Sequence, residues 1–237
     1  MAEEITLRNA FNPEQLIVYR SRTEIRNKAQ DTEKGSDIGT RNATWEVDII
    51  QRVLALEGAD KAHILYHSVP VSVPMEAQMM GVLNRKQVIY VLMDMQGKVH
   101  EASGLGFQGI INFPSNPIKE GEHWVESSEV DVPGLPQPAK HSRTFTLKGF
   151  EKSHDLECAK ITVSSEETML ELEAPDKSGK IQYKVGTTGE FLFAHKEGYL
   201  VKSSIDTHFT SSFGGTVMEG NNRFSQELIE VKAKVAV

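Results

Sequence analysis

The stretch Thr44-Trp45-Glu46-Val47-Asp48-Ile49 decides the fold class. Trp45, Val47 and Ile49 alternate with Thr44, Glu46 and Asp48. Successive side chains of a strand point to opposite faces, so a period of two yields one apolar face and one polar face. This spacing predicts a half-buried strand, the habit of antiparallel sheets. The alternation recurs at Phe145 and Leu147 among Thr144, Thr146 and Lys148, and at Ile161 and Val163 among Lys160, Thr162 and Ser164. Leu16, Val18 and the segment Ser21 to Ile25 follow it more loosely. Ile49 to Leu56 also fits a helix, but Gly58 follows at once and the alternation before it is clean, so strand is the reading adopted.

Turn signals separate the runs. They are Glu33-Lys34-Gly35-Ser36-Asp37, Glu57-Gly58-Ala59-Asp60, Met95-Gln96-Gly97-Lys98, Lys177-Ser178-Gly179-Lys180 and Lys196-Glu197-Gly198-Tyr199. Each supplies a glycine for the positive φ of a tight hairpin. Strands joined so often by short loops predict an antiparallel meander rather than βαβ units. One segment departs from the pattern: Met75, Met79, Val82 and Leu83 stand at helical spacing after Pro74. A short helix over 74–83, packed on the sheet, is expected there.

Two stretches resemble each other. Thr44-Trp45-Glu46-Val47 and His63-Ile64-Leu65-Tyr66 are echoed by Thr144-Phe145-Thr146-Leu147 and Cys158-Ala159-Lys160-Ile161. The run from Tyr90 to Val99 is echoed by Phe191 to Val201, each with a glycine at the turn. An internal duplication is one reading, and the general sameness of antiparallel strands is the other. The duplication reading divides the chain into an N-terminal β unit, 1–113, and a C-terminal β unit, 114–237, packed as one compact structure. The junction falls at Asn112-Phe113-Pro114-Ser115-Asn116-Pro117. A second proline-rich stretch, Val132 to Pro138, is expected to be loop or sheet edge, because proline cannot donate to a central ladder.

Composition narrows the class of function. The chain has 237 residues, 39% apolar and 25% charged, which is ordinary globular usage and enough length for a sizeable core. No apolar run of about 18 residues is present, so no helix is expected to cross a membrane. The opening Met-Ala-Glu-Glu-Ile-Thr has neither the basic start nor the apolar stretch of a signal peptide. Net charge is −7 and the cations are scattered among acids, as in Arg20 to Arg26 around Glu24. Nucleic acid is therefore not an expected partner, because phosphate backbones call for clustered Lys and Arg. Cys158 is the single cysteine, so no internal disulfide can form. It reads as a small buried side chain, with His154 too far along a strand to activate it.

The segment Phe113-Pro114-Ser115-Asn116-Pro117-Ile118-Lys119-Glu120-Gly121-Glu122-His123-Trp124 is similar to a "leucine-proline … valine-lysine-glycine-aspartate-x-tryptophan" segment of a family of bacterial β-rich proteins, often exported or lipid-anchored, with no assigned activity. In that family a glycine-turned strand pair follows, and Gly149 to Ile161 resembles it, with Asp155 where a turn glycine is usual. Gly189 to Phe193 and Gly198 to Val201 fit as well, so the likeness covers residues 11 to 206. The resemblance implies a curved antiparallel sheet or half-barrel and a periplasmic or extracellular setting. It transfers no functional residue.

Several motifs are discounted on physical grounds. Gly104-Leu105-Gly106-Phe107-Gln108-Gly109 matches a dinucleotide fingerprint, but Ile110 to Pro114 follows as a strand-like run where a phosphate-binding helix would have to begin. No cofactor is expected. His63 and His67 share a strand face, and His100 and His195 stand apart, without the third and fourth ligands a zinc site needs. No metal is expected. Glu166, Glu167, Glu171 and Glu173 read as solvated strand faces, and no serine carries a nucleophile elbow. Asn42-Ala43-Thr44 is a glycosylation triplet of a kind common by chance.

The methionines give the sharpest hypothesis. Thioethers adapt to varied apolar partners, so Met75, Met79, Val82, Leu83 and Met93 are candidate ligand-binding residues on a concave sheet face. Core filling is the plainer account of the same residues. The leading functional reading is a non-enzymatic binding or scaffold protein that takes an apolar small molecule or a protein partner. Two alternatives stand beside it. One is a structural protein that self-associates through edge strands. The other is a hydrolase whose site converges only in three dimensions.

Overall fold

The computed structural model describes residues 4–13, 15–103, 111–130, 139–173 and 179–233. The motif at Gly104 to Gly109, the proline-rich stretch Val132 to Pro138 and the turn residues Lys177 and Ser178 lie outside them. The elements are β1 (Glu4–Ile5), β2 (Gln15–Asp31), β3 (Ser36–Glu57), β4 (Lys61–Ser72), α1 (Met75–Met79), β5 (Gln87–Asp94), β6 (Val99–Ala102), β7 (Ile118–Lys119), β8 (His123–Val130), β9 (Ala139–Ser153), β10 (Leu156–Ser165), β11 (Thr168–Glu173), β12 (Lys180–Ala194), β13 (Tyr199–Phe213) and β14 (Thr216–Ala233). The protein is mainly β, as the alternation predicts, and Ile49 to Leu56 is strand.

One large antiparallel sheet runs β6-β5-β4-β3-β2-β14-β13-β12-β10-β9-β8 and does not close, while β11 shares an edge of β12 with β10. Residues up to 113 supply β1 to β6 and residues from 114 supply β7 to β14. The two sets meet where β14 pairs with β2 from Thr216↔Asp31 to Ala233↔Gln15. A separate two-stranded ribbon joins β1 to β7.

The alternation sorts the strand faces. Glu46 and Asp48 of β3 point outward, where Arg22 and Arg20 of β2 meet them as ion pairs. Exposed pairs of this kind add little, about 0–1 kcal/mol each. The inward face carries the core. Phe145, Leu147, Ile161, Val163, Phe191 and Phe193 pack under Ile5, Leu7, Ile111, Phe113 and Ile118. These covering residues belong to two segments, joined by the β1–β7 ribbon, that cross the inner face as a strap. On the other arm Val53, Ile64, Tyr66, Val91 and Met93 pack with Phe11.

The strap reveals the curvature. Asn9 N–H donates to Met95 O at 2.7 Å and Ala10 N–H donates to Gly198 O at 2.9 Å. Met95 lies in the β5–β6 hairpin and Gly198 in the β12–β13 hairpin. Five strand-to-strand steps separate β5 from β13, about 24 Å in a flat sheet at roughly 4.8 Å per step. Adjacent residues cannot bond both hairpins unless the sheet curls and brings its arms together. The two hairpins are the pair that resemble each other in sequence. Both turn glycines are required there. A Cβ on Gly198 (φ 75°) falls 2.3 Å from Ala10 N, and one on Gly97 (φ 90°) falls 2.2 Å from Ile111 O.

The helix is shorter than the expected 74–83. It spans Met75–Met79, and Gly81 takes φ 88° just beyond it. Gly81 N–H donates to Gln78 O and Val82 N–H to Ala77 O, the double bond of a left-handed helix stop. Gly81 therefore terminates the helix before Val82 and Leu83. Of the helix residues, only Ala77 is buried.

The β9–β10 hairpin turns on His154 (φ 51°) and Asp155 (φ 61°), two non-glycine residues in the left-handed region. Such a two-residue turn favours Asn-Gly. The paired substitution His154→Asn with Asp155→Gly should raise stability by about 0.5–1.5 kcal/mol in urea denaturation. In the same assay Gly198→Ala should cost roughly 2–5 kcal/mol, from backbone strain plus collision with Ala10. Gly35→Ala has the strain (φ 64°) with nothing within 4 Å, and should cost only about 1–2 kcal/mol. Equal losses at Gly198 and Gly35 would show that the strap contact contributes nothing.

Candidate functional site

Between the strap and the curled sheet lies a cavity of about 400 Å³. A smaller depression of about 230 Å³ sits at the β13–β14 turn, lined by Gly214, Gly215 and Lys180. The period-two phase of β3 turns Trp45, Val47, Ile49 and Gln51 into the larger cavity. Tyr66 and Ser68 of β4 and Gln87, Ile89 and Met93 of β5 continue that wall. The strap contributes Asn9, Phe11, Ile111 and Phe113, and the other arm contributes Phe193, Leu200, Phe224 and Gln226. Among the described residues, no Asp, Glu, Lys, Arg or His lines the cavity.

The cavity has a buried end and an open end. Tyr19, Tyr66 and Met93 are buried, whereas Trp45 and Phe224 are half-buried at their register positions toward the far side of the sheet. Burial pushes the Tyr19 and Tyr66 phenols far above their ordinary value of 10.0, with the neighbouring Tyr66 and Tyr199 adding to the shift at Tyr19. Both phenols are neutral at physiological pH, so the site presents uncharged hydrogen-bonding groups and hydrocarbon.

The structure brings one of the five sequence candidates to this site. Met93 lines the cavity. Met75, Met79 and Leu83 are 67%, 83% and 45% exposed, and Val82 is half-buried away from the lining. Met75 and Met79, four residues apart, share the outer face of the helix while Ala77 lies on the inner one, and the stop at Gly81 ends the helix before Val82 and Leu83. Sequence reasoning missed Tyr19, Gln51, Tyr66 and Gln226. The phase of Trp45, Val47 and Ile49 points to Gln51 two residues further on.

The other tempting groups have local partners. His63 Nδ1 lies 2.7 Å from Tyr90 Oη and its Nε2 lies 3.3 Å from Glu57, on the face opposite Ile64 and Tyr66. His100 Nε2 is 2.9 Å from Asp94. His195 packs against the Phe150 ring. Glu171 pairs with Lys180 at 2.8 Å, and Glu167 with Lys184. Among the described residues no three His, Cys, Asp or Glu side chains gather in a metal-holding group. Cys158 is fully buried beside Leu156 O, and burial pushes its thiol up, away from the reactive thiolate. No described helix is long and apolar enough to cross a membrane.

No protein-family model matches the chain, and no curated protein does.

The two buried tyrosines set an alkaline limit. Below the unfolded value of about 10 both states hold the phenolic protons, and above it only the unfolded chain releases them. The contribution of these tyrosines to stability should therefore be flat up to pH 10 and then fall by about 1.4 kcal/mol per pH unit for each. Tyr19→Phe should flatten that decline in urea midpoints taken from pH 8 to 12. An unchanged slope in the variant would show that Tyr19 ionises freely in the folded state.

Proposed function

We propose that the protein is a non-enzymatic binder that holds an apolar small molecule between its concave sheet and the strap. The observation that carries this reading is the uncharged cavity of about 400 Å³. Ligand sites are typically concave, mostly apolar and provided with a few polar groups. A cavity left over from imperfect packing is small and closed, whereas this one reaches half-buried aromatic residues at Trp45 and Phe224. The occupant expected is drug-sized, and it enters past Trp45. The clamped hairpins make the site pre-formed, so little ordering opposes binding.

Trp45 lines the cavity, while Trp124 is stacked on Phe145 beneath the strap. Titration with the neutral apolar dye Nile red should show one saturable site per chain and a change in tryptophan emission. That emission change should vanish in Trp45→Phe, with dye binding retained. Native mass spectrometry of protein from its own source should show extra mass released on denaturation. Absence of saturable dye binding together with a bare mass would sink the proposal.

A second reading, self-association through an edge, has its own observation. The pairing of β3 with β4 begins only at Glu46↔Ser72. Residues 36–45 therefore present an edge with no strand partner among the described residues, and Ile38 on it is 57% exposed. An open edge without proline is a template for a second chain. On this reading sedimentation velocity shows assembly across the micromolar range, and Ile38→Lys reduces it. A strict monomer at every concentration rules it out.

A further inference from the structure

The two walls of the cavity differ. On one arm, Gln51 stands opposite Tyr66 and Ser68 opposite Gln87, so four hydrogen-bonding side chains form a patch across β3, β4 and β5. The facing lining from the strap and the other arm is mostly apolar at Ile111, Phe113, Phe193 and Leu200, with Asn9 and Gln226 as its amides. The side chains of Gln51, Ser68, Gln87 and Gln226 make no hydrogen bond to a described residue. A second, independent observation lies in the sheet floor. Gln226 of β14 is flanked in register by Ser21 of β2 and Ser203 of β13. Both serines are 2% exposed, and both hydroxyl oxygens lack a partner.

Buried polar groups in folded proteins are nearly always bonded, and each one left unpaired is costly. Ser21 and Ser203, flanking Gln226, are such groups, and the half-buried Gln51, Ser68, Gln87 and Gln226 on the cavity wall add hydrogen-bonding capacity that no described residue uses. With no lining charge among the described residues, a carboxylate or ammonium placed there loses its water and meets no counter-charge. A hydroxyl or amide finds donors and acceptors in glutamine and serine, which offer both. We infer that the ligand is an uncharged amphiphile. Its hydrocarbon body lies against Phe113, Phe193 and Leu200, and its hydroxyl- or amide-bearing head lies against Gln51, Ser68 and Gln87. This assignment rests on the proposed binding role and names the class of ligand for that site.

The test is displacement of Nile red by three probes that share a dodecyl chain length: monododecanoylglycerol, dodecanoate and dodecylammonium. The glyceride should displace the dye at concentrations at least about tenfold below either charged probe. Gln51→Leu with Gln87→Leu should abolish that preference. The probe series on the unaltered protein needs no variant, so a misfolded variant does not remove the test. Equal displacement by a charged probe, or a preference that survives the double substitution, overturns the head-group assignment alone. Dye binding that no glyceride displaces also overturns it, whether water or nothing satisfies the polar patch. Failure of the dye itself to bind overturns the binding role together with this assignment.

Discussion

Two backbone hydrogen bonds from neighbouring residues, Asn9 to Met95 and Ala10 to Gly198, set the shape of the molecule. An open sheet of this size has an intrinsic twist but no fixed degree of closure. Tying hairpins from both arms to one crossing segment removes that freedom. The curl then follows, the inner face becomes concave, and the strap roofs the space that remains. Phe113 N–H donating to Gln96 O and Met95 N–H donating to Asp60 O extend the same knot to the second strap segment and to the β3–β4 turn. The indole of Trp124, donating to Asn112 O at 2.8 Å, fastens the strap to the far arm.

The division of labour across the sheet is physical rather than decorative. The arm under Ile5, Leu7, Ile111 and Phe113 is filled with aromatic and branched side chains and acts as ballast. The arm toward β5 leaves room, because its inward positions alternate hydrocarbon with glutamine and serine, which do not pack against the strap. Many charges sit on the outer face, where Lys160 bridges Glu151 and Glu190, and Arg223 grips Asp206, while the Arg143–Glu126 pair lies on the filled arm beside Phe145 and the strap. The cavity lining itself carries no charged side chain among the described residues.

Much of the sheet was legible in residues such as Trp45, Val47, Ile49, Phe145 and Leu147, since period two is a local property and needs no partner to be seen. The hairpins at Gly35, Gly58, Gly97 and Gly198 were legible for the same reason, and all four glycines take positive φ. The helix ends short of the expected 74–83 because the apolar spacing runs on through Gly81, which takes φ 88° and stops it. The cavity was mostly illegible. Ser68, Gln87 and Gln226 look like outward residues in sequence, and of the polar lining only Gln51 continues a clean alternation, that of Trp45, Val47 and Ile49. The strap was not legible, because Asn9 and Ala10 act mainly through main-chain groups that no side-chain pattern encodes, with the Asn9 amide adding one bond to Met95 O.

The pairing of β14 with β2 has a consequence for synthesis. Ser225 and Arg22, joined by a hydrogen bond, are 203 residues apart in the chain. While the chain is being made, β2 can find β3 early, but its other edge stays bare until nearly all of the sequence has emerged. Contacts of such sequence separation close slowly, because a long loop must be ordered before they form. The nascent protein therefore carries an unprotected strand in its middle for most of its time on the ribosome, a window in which a chaperone would have to shield it from neighbouring chains.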